Sequence, residues 1–216
     1  MKHCGIPGGV LPGTYKRLRI ISSMMKRKVH TPRLPVNKDN KVYIHLGCGE
    51  INAPGFINID AIPFPHVHYV RSVDDLSIFP GKYADLIYVS HVLEHFGHNE
   101  LTGVLSEWYR VLKEWGILRL SVPDFDKIIN IYVAEGNDIQ SIMSRLMGGQ
   151  TSVYNFHKSV FNDKYLRQLL LSVGFTEVRE WHTEKVELHS FDDWASRAID
   201  INGRKYPISL NLEAIR

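Results

Sequence analysis

Two histidines and a glutamate that could bind a metal ion lie close together near the middle of the chain. Residues 90–96 read SHVLEHF, in which His91, Glu94 and His95 form the pattern H-x-x-E-H. That pattern is typical of one class of zinc protease, where a helix holds both histidines as metal ligands and the glutamate is the general base. A zinc hydrolase built on these residues is therefore one candidate function.

The residues before this pattern argue against a metal-binding helix. The run ADLIYVS at 84–90 is apolar on both faces, which predicts a buried strand of a parallel sheet. If that strand ends at Ser90, His91 lies at its carboxyl edge and residues 92–95 form a turn, so the histidines do not share a helix face. We predict no metal ion here. His95 then makes a structural hydrogen bond or acts as a base.

The composition is typical of a globular protein of one domain. The chain has 216 residues, of which 44% are hydrophobic and 23% are charged. Two cysteines, Cys4 and Cys48, are too few for a disulfide framework, so we expect a cytoplasmic protein. No apolar run approaches the roughly 20 residues that span a bilayer, and no signal-peptide core follows the basic N-terminus.

Charge is distributed unevenly along the chain. Residues 1–41 carry a net charge of +9, and the remaining residues carry −6. The apolar spacing of Tyr15, Leu18 and Ile21 and of the residues after them predicts an amphipathic helix over 14–29. We expect a basic arm over 1–40 and a second domain over 41–216. The apolar stripe favours an arm that lies on the acidic body over one that binds nucleic acid or an anionic membrane surface.

Short apolar runs alternate with amphipathic stretches through the rest of the chain. This alternation predicts an α/β fold with a mostly parallel sheet. Helices are predicted over 99–113, over 125–147 with a break near Gly136, and over 162–172. The predicted strands are 42–46, 56–60, 67–71, 84–90, 116–122, 175–181 and 208–215.

Polar residues or glycines follow four of the predicted strands. The first strand is followed by Gly47-Cys48-Gly49, the second ends in Asp60, Asp74-Asp75-Leu76 follow the third, and Ser90-His91 end the fourth. In open α/β sheets, ligands bind beyond the carboxyl ends of the strands. Glycines let the backbone approach a ligand closely, and a carboxylate can accept hydrogen bonds from both hydroxyls of a ribose. These ends therefore predict a site for a ligand that contains a ribose.

Three runs of sequence together resemble a known enzyme family. They are YIHLGCGEINAPGFINIDA, DDLSIFPGKYADLIYVSHVLEHF and EWYRVLKEWGILRLSVPDFD. Over residues 42–181, and again in SLNLEAIR, the chain resembles the class I S-adenosylmethionine-dependent methyltransferases, and most closely a group of small methyltransferases linked to surface-sugar or secondary-metabolite gene sets. The resemblance implies a Rossmann-like sheet, mostly parallel with the last strand antiparallel. It also implies S-adenosylmethionine as cofactor.

The resemblance implies roles for the strand ends. The glycine-containing end of the first strand would line the methionine of the cofactor, and the acid of the second strand would hold the ribose. The residues after the third strand would flank the adenine, and those after the fourth would lie under the methionine. The implied cofactor-binding residues are Leu46, Gly47, Cys48, Gly49, Asp60, Asp74, Asp75, Leu76, Ser90 and His91.

The connections among the first three strands are too short for the usual helices. Asp60 lies 11 residues after Gly49, whereas a helical crossover takes about a dozen residues or more. The next connection is equally short and contains Pro63 and Pro65. Because both missing helices would cover the same sheet face, we expect the 14–29 helix, the 138–147 segment or a second subunit of a homodimer to cover it.

The acceptor side of the site is less specific in sequence. His157 lies in the insert that borders the acceptor in this fold, and either it or His95 could deprotonate a hydroxyl. We predict methyl transfer to a small-molecule or sugar acceptor and no nucleic-acid substrate. There are two alternatives. One is a module that binds S-adenosylmethionine without catalysis, and the other is the zinc hydrolase built on His91, Glu94 and His95.

Overall fold

A seven-stranded sheet organises the chain. A computed structural model describes residues 22, 25 and 32–216, so most of the predicted 14–29 helix lies outside the described residues. The strands run in the order β3-β2-β1-β4-β5-β9-β6, and β9 is antiparallel to both of its neighbours. The strands are β1 (Tyr43–Leu46), β2 (Phe56–Asp60), β3 (Tyr69–Val70), β4 (Ala84–Ser90), β5 (Leu112–Pro123), β6 (Glu177–Glu180) and β9 (Ser209–Ile215). This arrangement confirms the predicted Rossmann-like α/β sheet, mostly parallel with an antiparallel last strand.

Four α-helices lie within the described ranges and agree with the predicted positions. They are α1 (Leu101–Val111), α2 (Phe125–Ala134), α3 (Ile139–Met147) and α4 (Asp163–Val173). Asp124, Asp138 and Asn162 cap the N-termini of α2, α3 and α4 by accepting hydrogen bonds from backbone amides of the first turn. In that part of the chain no helix is long and apolar enough to cross a membrane.

One face of the sheet is covered by α1, α4 and the loop after β3. Trp108 of α1 is fully buried there, and its indole N–H donates to the carbonyl of Val73 at 2.8 Å. Leu166 and Leu170 of α4 pack in the same core with the apolar side chains of β1, β4 and β5. Amphipathic helices therefore bury this face as their spacing predicts.

The opposite face is covered by a segment that sequence analysis did not identify. No helix joins β1 to β2 or β2 to β3, as predicted. The cover is residues 181–197, here called the covering segment, which packs Trp181 and Ala195 against Tyr43, Phe56 and Tyr88 of the sheet. The expected cover by 138–147 is wrong, because the helix there packs against α2 and the β7–β8 hairpin described next. The 14–29 helix lies outside the described residues except at positions 22 and 25.

A short hairpin near the C-terminus was also missed. Strands β7 (Ala198–Ile201) and β8 (Arg204–Pro207) pair antiparallel through Asn202 and Gly203, which have φ angles of 53° and 83°. An Asn-Gly pair with both φ angles positive is the preferred two-residue hairpin turn. The Asn202-Gly203 dipeptide therefore predicts this hairpin from sequence alone.

Candidate active site

A cavity of about 630 Å³ opens at the carboxyl ends of β1, β4 and β5. Its walls come from the loop after β1, the end of β4, helices α2 and α3, the loop after α3 and the covering segment. The lining side chains that could do chemistry are His45, Cys48, Glu50, Ser90, His91, Glu94, His95, Arg145, His157 and Asp193. The predicted cofactor loop and the predicted acceptor-side histidines therefore share one cavity.

Gly47 and Gly49 shape the loop after β1. Their φ angles are 62° and 55°, in the left-handed region that favours glycine. A Cβ on Gly47 would lie 2.3 Å from Cγ2 of Val92, whereas a Cβ on Gly49 would meet nothing within 4 Å. The backbone at Gly47 therefore lies close to the residues that follow β4, and the backbone at Gly49 borders open space.

Asp60, at the end of β2, ties the loop to the sheet. Its Oδ2 accepts from the amide of Gly49 at 2.8 Å, and its Oδ1 accepts from the amide of Ile62 at 2.7 Å. Burial raises the pKa of Asp60, although these two hydrogen bonds and the nearby His66 oppose the shift. Each carboxylate oxygen still has a lone pair for a ligand hydroxyl.

The other residues of the loop are buried. Leu46 lies in the core between the sheet and α1, and Cys48 is 1% exposed beside Phe64 and Val67. Burial raises the pKa of the Cys48 thiol far above its usual range. A buried, protonated thiol is a poor nucleophile, so Cys48 serves packing here.

The residues after β3 occupy two environments. Asp74 and Asp75 are exposed, and Asp75 pairs with Arg71. The side chain of Leu76 is fully buried in the core, and its amide donates to Oε1 of Glu107 at 3.0 Å. None of the three lines the cavity.

The end of β4 presents His91 to the cavity. His91 has a φ of 53°, and its Nε2 lies 2.8 Å from the hydroxyl of Ser209 on β9. Since that hydroxyl donates its hydrogen to the carbonyl of Trp194, His91 must donate through Nε2. The neighbouring Ser90 also lines the cavity.

The H-x-x-E-H residues do not lie on an α-helix. Residues Leu93–His95 form a single 3₁₀ turn after β4, as the sequence predicted for this junction. Glu94 is 1% exposed, and Oε1 of Glu94 lies 3.3 Å from Nδ1 of His91. Burial opposes ionisation of Glu94, but the contacts with His91 and His95 outweigh it and lower the pKa of the carboxyl.

His157 lies beside this turn. Its Nε2 is 3.9 Å from Oε1 of Glu94, and the rings of His95 and His157 are 5.1 Å apart. Burial lowers the pKa of His157. The structure therefore brings together the two histidines proposed as bases, although they lie far apart in sequence.

Several residues in and around the cavity were not predicted. His66 contacts the carbonyl of Gly49 at 3.0 Å, and Arg145 and Trp194 line the acceptor side. Asp193 accepts from the hydroxyl of Tyr88 and from the amide of Ala195, and it contacts His189. His66 lies within the run PFPHVHY, between the predicted second and third strands, and its position there was a usable signal. The other residues show no sequence spacing that indicates a site.

Comparison with known proteins agrees with this geometry. Residues 58–120 match the family described as Methyltransferase domain. No curated protein sequence matches the chain. A SAM-dependent methyltransferase from Archaeoglobus fulgidus is 19% identical, with 92% of this chain and 94% of that one covered and a TM-score of 0.52.

A second solved structure has a similar fold. It is a chain from a complex that contains the Haloferax volcanii Trm112 methyltransferase activator, 13% identical, with 94% of this chain and 92% of that one covered and a TM-score of 0.51. At these identities the structural likeness concerns the fold alone. The match to a methyltransferase domain over residues 58–120 and the shared fold are consistent with a class I S-adenosylmethionine-dependent methyltransferase, a family whose members take S-adenosylmethionine as cofactor.

Proposed function

We propose that this methyltransferase modifies a small-molecule or sugar acceptor that binds beside the cofactor. The supporting observation is the single cavity that reaches from Gly47 and Gly49 to His95 and His157. Its volume of about 630 Å³ is in the range typical of small-ligand sites. The methionine end of the cofactor and the acceptor would therefore share one cavity, whereas Asp60 and residues 74–76, which do not line it, would contact the rest of the cofactor beside it.

The charge of the cavity argues against a nucleic-acid substrate. Among its described lining residues, Arg145 is the one arginine or lysine, while Glu50, Glu94 and Asp193 are acidic. Nucleic-acid sites neutralise several phosphates with lysine and arginine. A neutral, hydroxyl-bearing acceptor fits these walls better.

The cofactor would lie over the ends of β1, β2 and β4. In this proposal Asp60 holds the ribose and the loop Leu46–Gly49 borders the methionine, with Ser90 and His91 beneath it. The loop over 74–76 would flank the adenine. This arrangement needs no movement of Asp60, because its carboxylate is already oriented by two backbone amides.

Positioning would supply most of the rate enhancement. The methyl group of a sulfonium is already a good electrophile, so holding an acceptor oxygen in line with the S–CH₃ bond is the main requirement. Bound S-adenosylmethionine would supply the methyl group to the acceptor oxygen and leave as S-adenosylhomocysteine, and a base would take the proton of the acceptor hydroxyl. His157 or His95 would take this proton, and burial favours the neutral form of His157 by lowering its pKa.

Replacing Asp60 tests the cofactor site. Asp60→Asn keeps the shape of the side chain but removes its charge, and loss of a charged hydrogen bond costs about 1.5–3 kcal/mol. We expect S-adenosylmethionine to bind about 10- to 100-fold more weakly, as measured by isothermal titration calorimetry.

Asp163→Asn is the matched control. Asp163 pairs with Arg167 on α4, away from the cavity, so cofactor affinity should not change. Unchanged affinity in Asp60→Asn would remove the proposed ribose contact.

A panel of sugar and phenolic acceptors tests the acceptor class, with release of S-adenosylhomocysteine as the measurement. Methylation of RNA alone would contradict the proposed small-molecule or sugar acceptor.

A further inference from the structure

We propose that Glu94, His95 and His157 bind a divalent transition-metal ion in the wall of the cavity. One ligand atom from each of these residues lies within 4.8 Å of the others. This set differs from the H-x-x-E-H pattern, because His157 takes the place of His91. The inference concerns metal binding and does not depend on the identity of the acceptor.

The carboxylate of Glu94 needs a positive partner. Glu94 is 1% exposed, and within the described part of the chain neither of its oxygens accepts a hydrogen bond of good geometry. His91 makes an ion-pair contact of 3.3 Å with Oε1. A buried carboxylate without hydrogen-bond donors is costly, and a metal ion is one way to satisfy it.

Both histidines keep a lone pair on Nε2, and Nε2 of His157 lies 3.9 Å from Oε1 of Glu94. Nδ1 of His95 lies 3.0 Å from the carbonyl of Phe156, and Nδ1 of His157 lies 3.1 Å from the carbonyl of Arg145. A carbonyl can only accept, so each Nδ1 carries the hydrogen and the Nε2 of each neutral ring is an acceptor. Metal-binding histidines are typically oriented by this kind of bond from the other ring nitrogen.

Backbone hydrogen bonds hold the two parts of the site together. The amide of Lys158 donates to the carbonyl of Glu94 at 2.8 Å, and the hydroxyl of Ser159 donates to the carbonyl of Phe96 at 2.7 Å. The amide of His157 donates to the carbonyl of Met147 at 3.1 Å. These hydrogen bonds fix the backbone positions of the proposed ligands relative to one another.

The donor set fits zinc or a similar ion. Two imidazole nitrogens and one carboxylate oxygen form a common catalytic zinc site, and imidazole also suits iron, cobalt and nickel. With bonds of about 2.0–2.2 Å, tetrahedral ligand atoms are about 3.4 Å apart, so ligand atoms separated by as much as 4.8 Å must approach by up to roughly 1.4 Å. Rotation of the side chains can provide this contraction.

The ion would act on the acceptor. All three residues line the cavity, and three protein ligands leave a coordination position open. An acceptor oxygen bound there would be oriented and made more acidic. The histidines would then position the acceptor through the ion, since their lone pairs would be occupied.

Direct metal titration tests the inference. The full chain, without a histidine tag and freed of metal by a chelator, is titrated with Zn²⁺, and bound metal is measured by calorimetry and elemental analysis. We expect one Zn²⁺ per chain and, with Co²⁺, visible absorption bands of a coordinated ion. S-adenosylmethionine titrations run in parallel, so failure of the cofactor site is seen separately.

Variants identify the ligands. His157→Ala and Glu94→Gln should weaken metal binding by at least about 100-fold, because even an outer hydrogen-bond partner of a ligand is worth about 10- to 100-fold. His98→Ala is the matched control, since His98 is exposed and outside the cluster. If His157→Ala fails to fold by circular dichroism, Glu94→Gln and His95→Asn make the same test.

Two results would overturn the inference. One is a wild-type chain that binds no stoichiometric Zn²⁺. The other is Zn²⁺ that binds equally to the wild type, His157→Ala and Glu94→Gln, which would place the ion elsewhere and leave the contact with His91 as the partner of Glu94.

Discussion

At the scale of single residues, backbone contacts determine the shape of the cofactor loop. Asp60 holds the amides of Gly49 and Ile62, so the loop after β1 is tied to β2 without an intervening helix. A carboxylate at the end of a parallel strand faces the ligand edge, so the sequence predicts Asp60 as the ribose contact, and this role stays a prediction. The close approach of Gly47 to Val92 was not predictable, because it depends on how β4 ends.

The two glycines of this loop provide a matched pair of substitutions. Gly47→Ala should reduce stability and cofactor affinity more than Gly49→Ala, because only the first places a Cβ against Val92. Both incur the cost of a positive φ, about 1–2 kcal/mol, and overpacking at Gly47 adds about 1–3 kcal/mol. Urea unfolding and cofactor titration measure the difference. Equal losses in the two variants would contradict the close approach of Gly47 to Val92.

At the scale of elements, an irregular segment replaces two helices. The segment over 181–197 covers the face that helices after β1 and β2 would cover. The short connections made the loss of those helices predictable. The replacement was not, because its apolar residues have neither helical nor strand spacing. Trp181 holds it to β5, since its indole N–H donates to the carbonyl of Leu120 at 3.1 Å.

Trp181→Ala should therefore weaken the packing of the covering segment and lower the stability of the chain. Trp181 is 3% exposed, and truncating a buried tryptophan costs about 3–5 kcal/mol. Trp115 is 81% exposed, so Trp115→Ala should change stability by less than about 0.5 kcal/mol. Thermal and urea unfolding measure both variants. A small effect of Trp181→Ala would mean that the covering segment contributes little to stability.

At the scale of the whole molecule, buried histidines make folding sensitive to acid. His45 of β1 is 1% exposed, and its ring stacks on Phe191 of the covering segment at 5.5 Å. Burial lowers the pKa of His45 to about 3, an effect that His66 and His189 add to and Asp193 opposes. The folded chain therefore keeps His45 neutral where the unfolded chain protonates it.

His45 should make the folded chain less stable as the pH falls. Its folded pKa lies below the unfolded value of about 6.5, so its contribution is complete above pH 6.5 and is lost as the pH falls toward 3. Between pH 7 and pH 5 the wild type should lose about 2 kcal/mol more than His45→Phe. Urea unfolding at several pH values measures this. Equal pH dependence in both proteins would contradict a buried neutral His45.

The sequence by itself determined the fold class, and it predicted a ligand site at the carboxyl edge of the sheet. These follow from local periodicity and from the rule that ligands bind at strand carboxyl ends. It also excluded a helix at the H-x-x-E-H pattern, because the preceding strand is apolar on both faces. The role of the basic arm over 1–40 stays a prediction.

Only the tertiary structure decided which residues meet in the cavity. Glu94 and His95 follow β4, whereas His157 comes from the loop before α4, and backbone hydrogen bonds bring them together. Likewise, the cover of the second face comes from the stretch between β6 and β7. Such contacts depend on how distant segments pack, and short-range spacing carries no information about that packing.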